Sequence, residues 1–164
     1  MTKKLTLGAI PFHWDADRKR DFYARIADEA PIDMVYLGEV VCSKRSPFFE
    51  RHYPDVIERL ERGGKRVVLS TLSEVVLPRE RRATTELCGQ TDYPVEVNNA
   101  AGLSAVDGRP HYIGPMMNVY NERTLAHLAR HGAMHFTLPV ELPQTAATAL
   151  ARAAADLGVM VEVQ

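Results

Sequence analysis

The chain has 164 residues, of which 46% are hydrophobic and 25% are charged, and its formal net charge at pH 7 is -1. Such a composition is typical of one globular domain that buries a sizeable core, and the interspersed charges give no field that would attract nucleic acid or an anionic membrane surface. Neither a secretory signal nor a membrane-spanning run is present in the sequence, which predicts a cytoplasmic location.

Short apolar runs alternate with helical patterns along the whole chain. Seven of the runs predict strands, at residues 5–12, 34–41, 66–72, 94–98, 111–118, 133–141 and 159–164. Helices are predicted at residues 17–30, 46–62, 78–88, 122–131 and 143–157, with a short turn at 100–106. Glycines at 63, 64, 132 and 158 are expected to end helices in the left-handed conformation, and Asn121 is expected to cap one.

Strict alternation of strands and helices indicates right-handed βαβ units and a parallel sheet. Polar residues inside the strands, such as Glu96 and Asn98 opposite Val95 and Val97, favour a barrel interior over a sheet covered on both faces. A complete barrel needs roughly 200 to 250 residues. We therefore predict that residues 1–164 form a single α/β domain, an incomplete TIM-like (β/α) barrel of about seven strands. The alternative is an open parallel α/β sheet.

The segment Leu37-Gly-Glu-Val-Val-Cys-Ser-Lys-Arg45 concentrates chemically useful side chains. A carboxylate (Glu39), a thiol (Cys42) and two cations follow an apolar strand and lead into a helix. A helix N-terminus has unpaired N–H groups and a positive dipole, which favour a bound anion or a thiolate. The segment therefore predicts either a ligand or reactive site, or an ordinary packed turn with an inert thiol and solvated cations.

The same segment resembles the one that opens the second helix in the UbiV-type proteins of anaerobic ubiquinone biosynthesis, which belong to the collagenase-like peptidase superfamily. The resemblance continues in the third strand (Val-Val-Leu-Ser-Thr-Leu, residues 67–72), in the fifth strand (Gly-Pro-Met-Met-Asn-Val-Tyr-Asn, residues 114–121) and in the sixth (Leu-Pro-Val-Glu-Leu, residues 138–142). These segments cover nearly the whole chain in the order that the family has.

The resemblance implies a function and a cofactor. In that family the cysteine that matches Cys42 is one of four that hold a 4Fe-4S cluster, and the protein assists oxygen-independent hydroxylation of the ubiquinone ring. It does so as a heterodimer with a UbiU-like partner, on a prenylated aromatic quinone precursor. Cys88, the other cysteine here, does not match a cluster position. A cluster needs four thiolates, so this chain alone is not expected to bind one, and it is either a fragment or a shortened relative.

Polar residues at the predicted strand ends form the candidate site. The expected substrate cavity at the mouth of the barrel is lined by Glu39, Asn98, Asn118 and Glu141. Glu39 and Glu141, with Glu96 and Glu162 as further members, are candidates for acid–base catalysis or for a divalent cation site. Alternatively, these carboxylates are paired with cations or hydrogen-bonded inside the barrel.

Two further functions stay open from the sequence. One is a peptidase or other hydrolase of the collagenase-like group, and the other is a non-catalytic subunit that completes the barrel of another chain. Nucleotide-binding loops of the G-x-G-x-x-G and Walker A types and the G-x-S-x-G elbow are absent from the sequence.

Three weaker patterns have ordinary structural interpretations. His127 and His131 are spaced for zinc on one helix but lack the glutamate of the zincin motif, so a surface helix is expected. The run 79–82 (Arg-Glu-Arg-Arg) is interpreted as a solvated helix start, and Met116 with Met117 as core packing within a strand.

Overall fold

A computed structural model describes residues 3–164, which divide into two compact units at residues 70 and 71. The first unit contains three parallel strands in the order β1-β2-β3. Its elements are β1 (Thr6–Leu7), α1 (Ala16–Glu29), β2 (Met34–Leu37), α2 (Ser46–Phe49), α3 (Tyr53–Arg62) and β3 (Arg66–Ser70). Single 3₁₀ turns at Ser43–Arg45 and Glu50–His52 flank α2.

The second unit contains four parallel strands in the order β4-β5-β6-β7. Its elements are α4 (Pro78–Gly89), β4 (Val95–Val97), α5 (Ala100–Val106), β5 (His111–Ile113), α6 (Glu122–Arg130), β6 (Ala133–Thr137), α7 (Gln144–Leu157) and β7 (Met160–Glu162). A 3₁₀ turn at Pro115–Met117 follows β5.

The alternation of parallel strands with helices confirms the predicted α/β class, and residues 3–164 contain the seven predicted strands. Within each unit the strands are neighbours in chain order, without the reversal that defines a doubly wound sheet. This order is that of an incomplete TIM-like barrel or of an open parallel sheet wound in one direction.

Each unit has its own apolar core. In the first, Val35 and Val68 on neighbouring strands are fully buried, together with Leu60 from the apolar stripe of α3. In the second, the central side chains of the core are Ile113, Leu125, Phe136 and Leu150. Burial of each large aliphatic or aromatic side chain contributes about 1.5–3 kcal/mol to folding, and this packing fixes the strand ends that carry the polar residues.

Three differences between predicted and observed elements occur next to prolines. The predicted helix 46–62 is interrupted between α2 and α3 by the 3₁₀ turn Glu50–His52, and Pro54 in the first turn of α3 has no N–H to donate to that turn. The fifth strand ends at Ile113 and Pro115 opens a 3₁₀ turn, so the prediction that Met116 and Met117 lie in a strand is wrong. The sixth strand ends at Thr137 rather than at residue 141, two residues before Pro139.

The predicted helix ends are largely confirmed. The Asn121 side chain accepts a hydrogen bond from the N–H of Thr124 at 2.9 Å and caps α6. Gly64, Gly132 and Gly158 have positive φ, whereas Gly63 has φ -75°. The turn expected at 100–106 is the helix α5. Among residues 3–164, no helix has both the length and the apolar character needed to cross a bilayer.

Candidate functional site

All five predicted site residues follow the carboxyl end of a strand. In the first unit, Glu39 and Cys42 come after β2. In the second unit, Asn98 comes after β4, Asn118 after β5 and Glu141 after β6. The carboxyl ends of parallel strands meet at one edge of a sheet, so the three residues of the second unit lie along the same edge of its strands.

Glu39 organises the turn that carries Cys42. One carboxylate oxygen, Oε1, accepts hydrogen bonds from the backbone N–H groups of Val41 and Cys42, each at 3.0 Å. The backbone of Cys42 is extended and precedes the 3₁₀ turn Ser43–Arg45, and its side chain is half-buried. The carboxylate therefore fixes the backbone from which the thiol projects.

Lys19, which the sequence analysis did not single out, is buried in the same unit, with 5% of its surface exposed. Its ammonium lies 4.5 Å from the centroid of the Phe49 ring and 6.0 Å from that of Tyr53. Burial lowers the pKa of Lys19, the negative charge of Glu39 opposes this, and the positive charge of Arg45 adds to it. The first unit thus holds a desolvated cation close to the Glu39 turn.

Aromatic side chains surround this lysine. The rings of Tyr23 and Tyr53 lie 6.2 Å and 5.3 Å from that of Phe49, centroid to centroid. Burial raises the pKa of both tyrosines, and the charge of Glu39 raises it further. The hydroxyl of Tyr23 is buried and has no hydrogen-bond partner among the described residues. Both phenols are therefore harder to ionise than an exposed tyrosine.

In the second unit, Asn98 is the centre of a buried hydrogen-bond network. Its amide Nδ2 donates to the carbonyl of Thr71 at 3.2 Å and to the carboxylate of Glu96 at 3.0 Å. Its backbone N–H donates to the Thr71 hydroxyl at 2.9 Å. Gly114 packs directly against the Asn98 amide. Asn98 is thus held rigidly, and its amide hydrogens are already used inside the protein.

Asn118 and Glu141 are exposed and share a neighbour that the sequence analysis missed. The Tyr120 hydroxyl donates a hydrogen bond to Glu141 Oε1 and lies 3.5 Å from Asn118 Oδ1. This bond lowers the pKa of the Glu141 carboxyl and raises that of the Tyr120 phenol. The loops after β5 and β6 therefore present an ionised carboxylate beside a phenol.

A second missed group lies on the strands themselves. His135 Nε2 is 3.1 Å from Glu162 Oε2, and the His135 ring stacks on Tyr112 with centroids 4.7 Å apart. Glu96, Tyr112 and His135 are neighbours in strand register, so they form one polar layer across β4, β5 and β6. His135 Nδ1 and the Thr137 hydroxyl are buried without partners among the described residues. The available sequence signal is that side chains alternate along a strand, which puts His135 and Thr137 on one face.

The weaker sequence patterns lie on the surface. His127 and His131 are exposed, with ring centroids 4.4 Å apart, and His131 Nδ1 is 2.8 Å from the His127 carbonyl. Arg79, Arg81 and Arg82 are exposed on α4. Met116 is also exposed, so the prediction that it packs in the core is wrong, while Met117 packs partly against the core of the second unit.

The donor set of this chain does not fit a complete 4Fe-4S cluster. The sequence contains two cysteines, and Cys88 is 1% exposed with its sulfur 3.8 Å from the Gly102 carbonyl oxygen. Burial raises the pKa of Cys88 to about 11, which opposes the thiolate that iron requires. The described part of the chain has no group of three or more His, Cys, Asp or Glu side chains arranged to hold a metal ion. Of the two cysteines, Cys88 is buried and Cys42 is half-buried, so Cys42 is the one that a metal could reach.

Comparison with known proteins adds no further assignment. No family model matches this sequence, and no solved structure matches the fold.

Proposed function

We propose that this chain is part of a UbiV-type accessory protein of oxygen-independent ubiquinone ring hydroxylation, acting in the cytoplasm with a UbiU-like partner on a prenylated aromatic quinone precursor. The observation that carries the proposal is the turn in which the Glu39 carboxylate binds the N–H groups of Val41 and Cys42. A thiol that ligates iron needs a fixed backbone and access from outside, and this turn supports both for Cys42.

In this proposal Cys42 contributes one thiolate to a 4Fe-4S cluster, and the other three come from a segment or chain outside residues 1–164. Cys88 contributes none, because its sulfur is enclosed in the core of the second unit. Glu39 acts as a positioning residue, since its carboxylate is engaged by the backbone of the turn. Asn118 and Glu141 are proposed to line the substrate cavity with Asn98.

Iron and sulfide analysis of the full-length gene product, purified anaerobically with its partner, tests the proposal. Cys42→Ala is expected to abolish the cluster absorbance and lower the iron content, whereas Cys88→Ala is the matched control that leaves both unchanged. Glu39→Gln retains an acceptor oxygen and is expected to keep the cluster, while Glu39→Ala is expected to lose part of it. Unchanged iron and sulfide in Cys42→Ala would exclude the proposed ligand role.

A hydrolase of the collagenase-like peptidase group is the second candidate, and the Tyr120–Glu141 hydrogen bond favours it. In such an enzyme the ionised Glu141 would accept a proton from the attacking water, while the Tyr120 phenol holds the carboxylate in place through its hydrogen bond. Cleavage of a peptide panel that is lost in Glu141→Gln and in Tyr120→Phe, but kept in the exposed control Glu122→Gln, would support it. Equal activity in all three variants would exclude it.

A further inference from the structure

We propose that the loops after β1 and β2 bind an aromatic ligand that carries a carboxylate, with Lys19 and Arg45 holding the anionic group. The inference goes beyond the proposed function, because it assigns a binding site that neither the cluster role of Cys42 nor the substrate cavity of the second unit uses. All residues involved belong to the first unit.

Lys19 is buried in the first unit without a direct ionic partner in the described part of the chain. Its ammonium lies 4.5 Å from the centroid of the Phe49 ring and 6.0 Å from that of Tyr53. Within residues 3–164 it forms no hydrogen bond or ion pair, and the charge of Glu39 acts on it without direct contact. A buried ammonium is costly unless a counter-charge compensates for the lost water. Cation–π contact offsets part of that cost, and an anionic ligand would supply the remainder.

A second cation, Arg45, acts on Lys19. The positive charge of Arg45 lowers the pKa of Lys19, and Arg45 Nη1 donates to the Pro11 carbonyl at 3.0 Å, which joins the two loops. Glu39 is the nearby carboxylate, but its Oε1 already accepts two backbone hydrogen bonds. Among the described residues, Glu39 is thus the one carboxylate set against the charges of Lys19 and Arg45, and a second carboxylate would balance them.

Two exposed aromatic side chains belong to the same part of the first unit. Phe12 and Phe48, in the loop after β1 and in α2, are 64% and 63% exposed. The Phe48 ring packs edge-on to His13 at 5.7 Å, and the Phe12 ring stacks on Trp14 at 6.4 Å. Phe12 follows Pro11, which binds Arg45, and Phe48 precedes Phe49, which contacts Lys19. Exposed rings in these loops favour a ligand with a flat apolar body, because aromatic rings stack on one another. A carboxylate also matches the planar fork of a guanidinium.

Binding of three probes tests the inference. Benzoate carries both the ring and the anion, inorganic phosphate carries the anion only, and benzyl alcohol carries the ring only. Trp14 is the single tryptophan of the chain and its ring stacks on Phe12, so its fluorescence reports on occupancy. Amide NMR shifts of Val41, Cys42 and Arg45 give an independent map of the site on the unmodified protein.

We expect benzoate to bind more tightly than phosphate, and benzyl alcohol to bind weakly. Lys19→Met keeps the aliphatic stem and removes the charge, and it should weaken benzoate roughly ten- to hundredfold. Lys44→Met is the matched control, since it removes an exposed cation from the same turn and should change the affinity little.

Three results would overturn the inference. The first is failure of benzoate to bind the unmodified protein at millimolar concentration, and the second is equal affinity for benzyl alcohol. The third is equal weakening in Lys19→Met and Lys44→Met, which would indicate a diffuse surface field. Should Lys19→Met not fold, Arg45→Gln replaces it in the comparison. Weaker benzoate binding in Arg45→Gln, with shifted amides at Val41, Cys42 and Arg45 in the unmodified protein, would support the inference, and unchanged binding would overturn it.

Discussion

Replacing Gly114 with alanine tests the buried network around Asn98. A Cβ at residue 114 would overlap the Asn98 side chain, lying 2.7 Å from its Cγ and 2.9 Å from its Nδ2. The amide would have to move, which breaks its bonds to the Thr71 carbonyl and to Glu96. Overpacking costs about 1–3 kcal/mol and an unsatisfied buried polar group costs a similar amount. We expect a loss of about 2–5 kcal/mol in the free energy of unfolding.

Urea unfolding followed by circular dichroism measures the loss, and a double-mutant cycle assigns it. In an Asn98→Ala background the space is open, so Gly114→Ala should cost less than about 1 kcal/mol. Gly89→Ala is the matched control, because a Cβ there has no neighbour within 4 Å. A cost below about 0.5 kcal/mol for Gly114→Ala, or the same cost in both backgrounds, would refute the network as described.

Three other predictions follow from single contacts. Iodoacetamide should label half-exposed Cys42 in the folded protein and Cys88 only after unfolding, since burial raises the pKa of Cys88 to about 11; equal labelling rates would contradict this. Burial lowers the pKa of His111, so the unfolded chain takes up a proton near pH 6.5 before the folded one, and the urea midpoint should fall as the pH drops below 6.5. His111→Gln should make the urea midpoint depend less on pH. An unchanged dependence of the midpoint on pH would show that groups other than His111 cause it. Tyr120→Phe should raise the pKa of Glu141 in a carboxyl ¹³C NMR titration, whereas an unshifted titration would exclude their hydrogen bond.

The sequence predicted the elements well where a single physical signal decided them. Each of the seven apolar runs contains an observed strand, because burial selects apolar residues in either type of sheet. The boundaries were less predictable where proline and tertiary packing compete with periodicity. The apolar pattern continues through Pro54 and Pro115, but the predicted helix is interrupted before Pro54 and the predicted strand ends before Pro115. A hydrophobic pattern does not take into account that proline lacks the backbone N–H of other residues.

The candidate site was predictable as far as it depends on strand ends. Glu39 and Cys42 were identified because a polar cluster directly follows an apolar strand, and the same reasoning applied to Asn118 and Glu141. The partner of Glu141 was not predictable, since Tyr120 lies 21 residues away in the chain and only the fold brings the two loops together.

Lys19 was missed for a different reason, although the sequence contains a signal for it. Lys19, Tyr23 and Ala27 are spaced by four residues and form the buried stripe of α1. A lysine in such a pattern is usually expected to reach solvent, because most lysines in folded proteins are exposed. Here Phe49 and Tyr53, from a later part of the unit, cover it. A cation on a buried helix stripe is therefore a stronger pointer to a site than the charged run at 79–82, whose three arginines are all exposed.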